Sequence, residues 1–232
     1  MQSDLSSLLS LPSVTVLPRD KFAQCVSDEA KALLDGEEEL SIAVSGGQIA
    51  PHCLLLLRKQ MGTKRHLTLT VTDERHGVHI KNQNVPLILG LLNNNDCSEN
   101  MNLLAPFTSL SRLQSLESFL TALRQSGLPT LALMGVGIDG HIASLFSAQP
   151  KITRDEAILI ENAPGSFPCR ITLTMDYLLK IPNRWALIVG SEKGSLLQKL
   201  MANENCPVNH LLPTRWFIDS TSVSAMTGGT SP

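Results

Sequence analysis

Two short apolar runs that each break into a glycine-bearing turn constrain the fold of this chain more than any other feature. Residues 40–44 run into Ser45-Gly46-Gly47 ahead of a helical pattern over 51–60, and residues 131–135 run into Val136-Gly137-Ile138-Asp139-Gly140-His141, where a second helix start is expected. Apolar runs of this length without polar alternation suit strands buried on both faces, which belong in parallel sheets. Parallel neighbours need crossover connections, commonly helices, so the expected class is α/β: a mostly parallel, Rossmann-like sheet with helices on both faces. The remaining chain keeps that alternation. Residues 14–17 read as an edge strand stopped by Pro18, and 20–35 as a helix carrying Phe22, Val26, Ala30, Leu33 and Leu34, closed by Gly36. Further strands are expected over 67–71, 157–160, 170–174, 184–189 and 216–219, and further helices over 112–125, with Leu113, Leu116, Leu120 and Leu123 as its core face, and from Gly190 to Met201. Residues 93–102 read as a flexible connection and 220–232 as a disordered tail.

No Pro-, Gly- or Ser-rich linker divides the 232 residues, so one domain over 1–232 is expected. A net charge of −2 gives no polyanion-binding signature, which argues against nucleic acid as a partner. No stretch approaches the ~18 apolar residues of a membrane span, and the first residues lack the basic and long apolar segments of a leader. Cys25, Cys53, Cys97, Cys169 and Cys206 are odd in number and scattered, with no CxxC pair, and read as reduced thiols of a cytoplasmic protein.

The turns hold the candidate chemistry. Gly135, Gly137 and Gly140 match GxGxxG, yet the acidic residue a dinucleotide ribose would need about 20 residues on is met only by Asp155 and Glu156, which precede the next strand instead of ending it. Asp139 and His141 form a plausible catalytic pair, the carboxylate orienting and the imidazole exchanging protons; the plainer reading is that His141 caps the following helix. Ser45-Gly46-Gly47 before a helix amino terminus would cradle a phosphate, or would simply be a tight turn. The charged run Asp73-Glu74-Arg75-His76 would on its own be a solvated loop, but it follows a strand, and ligands of open α/β sheets bind beyond the carboxyl ends of the strands. Lys193 near a helix amino terminus opposes the helix dipole unless it meets an anion.

Taken in order, these segments resemble the glucosamine-6-phosphate isomerase/6-phosphogluconolactonase family over about residues 14–219. The family's SGG is matched by Ser45-Gly46-Gly47, its DER by Asp73-Glu74-Arg75, and a downstream Asn by Asn84. Its GxGxDGHxASLFP signature is matched by Gly135, Gly137, Asp139, Gly140, His141, Ala143, Ser144, Leu145 and Phe146, its RITLT by residues 170–174, and its GxxK by Gly190 and Lys193. Arg75 and the ASLF run resemble the lactonase branch; the deaminase branch carries DEY and DGHIAFNEP. Gln48 and Ile49 stand where the family has Ser and Thr, Gly165 where it has Lys, and Ser147 where it has Pro.

The resemblance implies hydrolysis of 6-phospho-D-glucono-1,5-lactone in the oxidative pentose phosphate pathway, by a monomer or small homo-oligomer. His141 would be the general acid/base, Asp139 its orienting partner, and Arg75 or the glycine-loop amides the oxyanion stabiliser. Ser45, Gly46, Gly47, Asp73, Glu74, Gly137, Arg170, Lys193 and, from a following loop, Arg154 would contact the sugar phosphate, the departures leaving more of the charge to Arg170 and Lys193. No metal or organic cofactor is required by this chemistry. The alternatives are an isomerising deaminase and a non-catalytic sugar-phosphate-binding regulator on the same fold.

Overall fold

The computed structural model describes residues 11, 13–146 and 153–228, so Ser147, residues 1–10 and the end of the expected tail lie outside the described residues. Ten strands and eight helices follow one another: β1 Val14–Leu17, α1 Phe22–Leu33, β2 Glu39–Val44, α2 Ile49–Met61, β3 His66–Val71, β4 Asp73–Arg75, α3 Asn84–Asn93, β5 Met101–Leu104, α4 Arg112–Gln125 and β6 Leu131–Gly135 come first. They are followed by β7 Ala157–Ile160, β8 Arg170–Leu173, α5 Met175–Lys180, β9 Asn183–Ile188, α6 Gly194–Met201, α7 Pro207–His210, β10 Arg215–Asp219 and α8 Ser220–Met226, all counts being of the described residues.

Seven strands form one sheet in the order β1-β10-β9-β6-β2-β3-β5, and each neighbouring pair is parallel. Because side chains alternate across a strand, both faces of this sheet are apolar. Ile42, Val44, Leu131, Leu133, Leu187 and Phe217 pack with α1, α2 and α3 on one side. Ala43, Ala132, Met134, Ala186, Ile188 and Ile218 pack with α4, α5, α6 and α8 on the other. β1 finds its neighbour in the last strand, β10, with Val14 opposite Trp216 and Leu17 opposite Asp219.

Apart from β1 at the edge, chain order runs outward in both directions from the β2–β6 pair, so the segments that leave these two strands turn to opposite faces and open a crevice at their carboxyl ends. A second, three-stranded antiparallel sheet in the order β4-β8-β7 stands beside that crevice. Asp73–Arg75, expected as a loop, is therefore a short strand; only Thr72 separates it from β3, and β8 supplies its partners.

Four other expectations are corrected. Among the described residues no helix follows Gly140 before Phe146: the Gly137 amide donates to the His141 carbonyl at 2.8 Å and the Gly140 amide to Gly137 at 3.1 Å, while Ile142 bridges both Val136 and Leu145. Burial of Ile142 and Leu145 in the core holds the chain in these turns. The expected tail begins with a helix, α8, because Asp219 caps it through Ser222 and because Val223 and Met226 are buried. Leu113 is 65% exposed, and the core face of α4 is formed instead by Leu116, Phe119, Leu120 and Leu123. The connection expected over 93–102 is shorter at its end, because β5 begins at Met101 and extends the sheet beside β3, while residues 94–100 are irregular chain.

Candidate active site

The crevice is a cleft of about 350 Å³. Its walls come from the turn after β2 (Ser45, Gly46, Gly47, Gln48), the turn after β6 (Gly137, His141, Ala143), the second sheet (Asp73, Arg75, Arg170) and the segment after β9 (Glu192, Lys193). Arg19, Asn84 and the apolar Ile49, Val136, Leu187 and Val189 also line it.

The first turn is shaped by two different demands for glycine. A Cβ on Gly46 would lie 2.1 Å from Asn84 Oδ1, and Gly47 has φ +82°, where L side chains are strained. Asn84 is itself fixed by donating from Nδ2 to the Asp73 carbonyl at 2.9 Å. The Ser45 hydroxyl accepts the Gly135 amide at 2.8 Å, so it ties the two turns together. The amides of Gly46, Gly47 and Gln48 have no acceptor among the described residues, and Pro51, in the first turn of α2, has no amide to satisfy. This turn is thus an open set of N–H donors at a helix amino terminus, suited to an anion.

The second turn is the reverse case. Its Gly135, Gly137 and Gly140 amides are spent on Ser45, His141 and Gly137, so they are not free to hold a nucleotide or an oxyanion. What it presents is the side-chain pair. His141 Nδ1 lies 2.5 Å from Asp139 Oδ1, which also accepts the His141 amide at 3.1 Å. Burial raises the Asp139 carboxyl, but the hydrogen bonds from the His141 ring and amide outweigh it and bring the carboxyl below its ordinary value. An ionised Asp139 assigns Nδ1–H as the donor and leaves Nε2 as the nitrogen available for proton transfer. A Cβ on Gly137 would fall 2.1 Å from His141 Nδ1, so only glycine leaves room for the ring. Phe146 packs against the His141 ring with centroids 4.6 Å apart.

Cations dominate the rest of the wall. Arg170 is nearly buried: its Nε donates to the Phe167 carbonyl at 2.9 Å, and its guanidinium lies over the Phe146 ring at 5.1 Å. Burial pulls Arg170 down from its ordinary value, with Asp73 opposing and Arg75 adding to the shift, yet a guanidinium stays charged. Arg75 stacks over Phe167 at 5.2 Å and donates to the Asn82 carbonyl at 2.9 Å, while its buried Nε has no partner among the described residues. Burial also lowers Lys193, partly offset by Glu192 and Asp139. Asp73 accepts a hydrogen bond from the Ser144 hydroxyl at 2.6 Å.

Of the residues singled out from sequence, Ser45, Gly46, Gly47, Asp73, Arg75, Gly137, His141, Arg170 and Lys193 line one cleft, and Asp139 stands behind His141. Glu74 does not join them. It is buried, and its carboxylate accepts the amides of Arg75, Asn84 and Val85 at 2.7, 2.8 and 2.6 Å, which makes it the anchor of α3. Burial raises its pKa against the pull of those amides. Arg154 is exposed and is not part of the wall. Arg19 and Glu192 are wall residues not expected from sequence, and Gln48, noted there only as a departure from the family, is a third. Glu192 sat inside a recognised motif and could have been found there; Arg19 is brought in by the pairing of the first and last strands, which leaves no local pattern.

The profile described as glucosamine-6-phosphate isomerases/6-phosphogluconolactonase matches residues 19–222. The chain belongs to this family. A 6-phosphogluconolactonase of Helicobacter pylori (strain ATCC 700392 / 26695) is 31% identical over 199 residues, which is 82% of this chain and 84% of that protein. A 6-phosphogluconolactonase of Haemophilus influenzae is 28% identical over 119 residues, 48% of this chain and 51% of the relative, so the match spans about half the length of that protein. The fold matches the crystal structure of 6-phosphogluconolactonase from Thermotoga maritima with a TM-score of 0.78 at 21% identity, covering 90% of this chain and all of that one. It also matches a monomeric glucosamine-6-phosphate deaminase with a TM-score of 0.71 at 15% identity, over 92% of this chain and 99% of the other.

Proposed function

We propose that this protein hydrolyses 6-phospho-D-glucono-1,5-lactone to 6-phosphogluconate. The observation that carries the reading is the bonded Asp139–His141 pair facing a cleft whose other walls hold Arg75, Arg170, Lys193 and the open amides of residues 46–48. Arg75, Arg170 and Lys193 outnumber the two carboxylates of Asp73 and Glu192, which leaves the wall net positive and suited to a phosphate dianion.

The open amides, Arg170 and Lys193 hold the 6-phosphate and so position the lactone carbonyl before His141. Nε2 of His141 takes a proton from water as the water oxygen bonds to C1, and the carbonyl electrons move onto the oxygen beside Arg75. Collapse restores the carbonyl and breaks the bond from C1 to the ring oxygen, which receives the proton from the imidazolium. The acid formed ionises at neutral pH. Asp139 keeps the ring in the useful tautomer and stabilises its charged form. The unpaired cysteines support a cytoplasmic setting for this chemistry.

A direct test follows the disappearance of freshly generated lactone, corrected for spontaneous opening. His141→Ala lowers kcat by ~10²–10⁴-fold if the ring is the general acid/base. A loss under tenfold removes His141 from that role, and folded wild type with no rate above background removes the lactonase reading altogether.

A further inference from the structure

At the end of the cleft nearest β9 stands a cation with no assigned role. Arg19 lies two residues beyond the end of β1, lines the cleft, and is half exposed, with 53% of its side chain open to solvent. Its Nη1 donates to Asp219 Oδ2 at 2.9 Å, and its other donors have no partner among the described residues. Asp219 is fully buried at the end of β10 and is saturated: Oδ2 also accepts the Gly190 amide at 3.0 Å, while Oδ1 accepts the Ser222 amide, the Ser222 hydroxyl and the Thr221 hydroxyl at 2.7, 2.7 and 2.9 Å. Sheet order makes the purpose legible. β10 lies between β1 and β9, so a single carboxylate at its end grips the segments leaving both neighbours, one carrying Arg19 and the other running from Gly190 to Lys193.

We propose that Arg19 is a substrate-binding residue, a second guanidinium after Arg170 that closes on the phosphate beside Lys193, and that Asp219 is the positioning residue that sets its reach relative to the segment after β9. The inference rests on the sugar-phosphate reading of the cleft. It accounts for a departure of this chain from its family: Gln48 and Ile49 supply no hydroxyl where Ser and Thr are usual, and Arg19 replaces that binding with charge-assisted donors. Asp219 keeps four other donors when Arg19 is removed, so the exchange leaves the anchor satisfied and the fold intact.

The test is Arg19→Ala beside Arg19→Lys. In the lactonase assay Arg19→Ala raises KM about tenfold, in line with loss of one charge-assisted contact at a half-exposed site, and the loss falls on KM instead of kcat; Arg19→Lys recovers part of it. Titration calorimetry with inorganic phosphate and with 6-phosphogluconate shows weaker binding to Arg19→Ala by a similar factor, and a shallower dependence of that binding on salt. A lower melting temperature with phosphate affinity within twofold of wild type overturns the proposal and leaves Arg19 as a structural ion pair. If wild type opens no lactone, the function above fails, yet the calorimetric comparison still decides whether Arg19 binds the anion.

Discussion

Gly137→Ala is the sharpest perturbation the cleft allows, because the three atoms nearest an added methyl group all belong to the proposed catalytic pair. The added Cβ would stand 2.1 Å from His141 Nδ1, 2.2 Å from Cε1 and 2.8 Å from Asp139 Oδ1, whereas ordinary contact begins at 3.4 Å. The imidazole must therefore retreat by about 1.3 Å, the gap between 2.1 and 3.4 Å. It cannot do so while keeping the 2.5 Å bond to Asp139, since the same methyl crowds that carboxylate. A displacement of about 1 Å in a catalytic group costs ~10²-fold in rate. The turn is otherwise sound, as its backbone bonds do not involve a side chain at residue 137. The expected outcome is a kcat for lactone opening reduced ~10²-fold, with phosphate affinity by calorimetry near that of wild type and a retained thermal transition. A Gly137→Ala protein that keeps more than about a third of the wild-type kcat would refute the assignment, because the ring would then not be working from the place the geometry gives it.

Asp139→Asn reduces kcat by ~10²-fold or more by leaving the ring without its orienting carboxylate. Because the Asp139 carboxyl lies below its ordinary value, the stability it lends is fully present above an unfolded pKa of ~3.9 and fades as pH falls through the lowered folded value; the melting-temperature gap between wild type and Asp139→Asn should shrink in acid, and a gap that widens there contradicts the sign. Away from the cleft, Arg58 is buried and donates to the carbonyls of Gly62, Thr63, Arg65, Cys97 and Glu99. Arg58→Met keeps the bulk but strands those acceptors, costing about 4 kcal/mol and roughly 10 °C in melting temperature; a shift under about 2 °C would mean that water replaces the guanidinium at no cost.

The sequence was most readable where an element is determined by its own residues. α4 falls on 112–125 as its apolar spacing predicts, and the Ser111–Gln114 capping box fixes where it begins. The apolar runs of β2, β6 and β9 announce a sheet buried on both sides, and the segments that leave these three strands bring Ser45, His141 and Lys193 to the cleft. What escaped was decided by partners distant in sequence. Asp73–Arg75 becomes a strand only because β8 lies beside it. Glu74 looks like a site residue in the string Asp73-Glu74-Arg75, yet burial turns it toward the amides that open α3. The stretch after Gly140 has the glycine and alanine content of a helix start, but burying Ile142 and Leu145 outweighs local preference. α8 exists because Asp219 and the core under Val223 receive it, which no count of Ser and Thr in 220–232 reveals.

The pairing of β1 with β10 also sets an order of assembly during synthesis. Among the described strands β1 has β10 as its neighbour, and some 200 residues separate Arg19 from Asp219. While the ribosome is still making the middle of the chain, β2, β3, β5 and β6 can already pair, but β1 has nothing to dock on and carries its unpaired edge exposed. Only when β10 emerges and slots between β9 and β1 does Arg19 arrive at the cleft. The Arg19 end of the cleft is thus the last part to be completed, and a nascent or prematurely stopped chain would possess its Asp139–His141 pair without the proposed anion contact at Arg19.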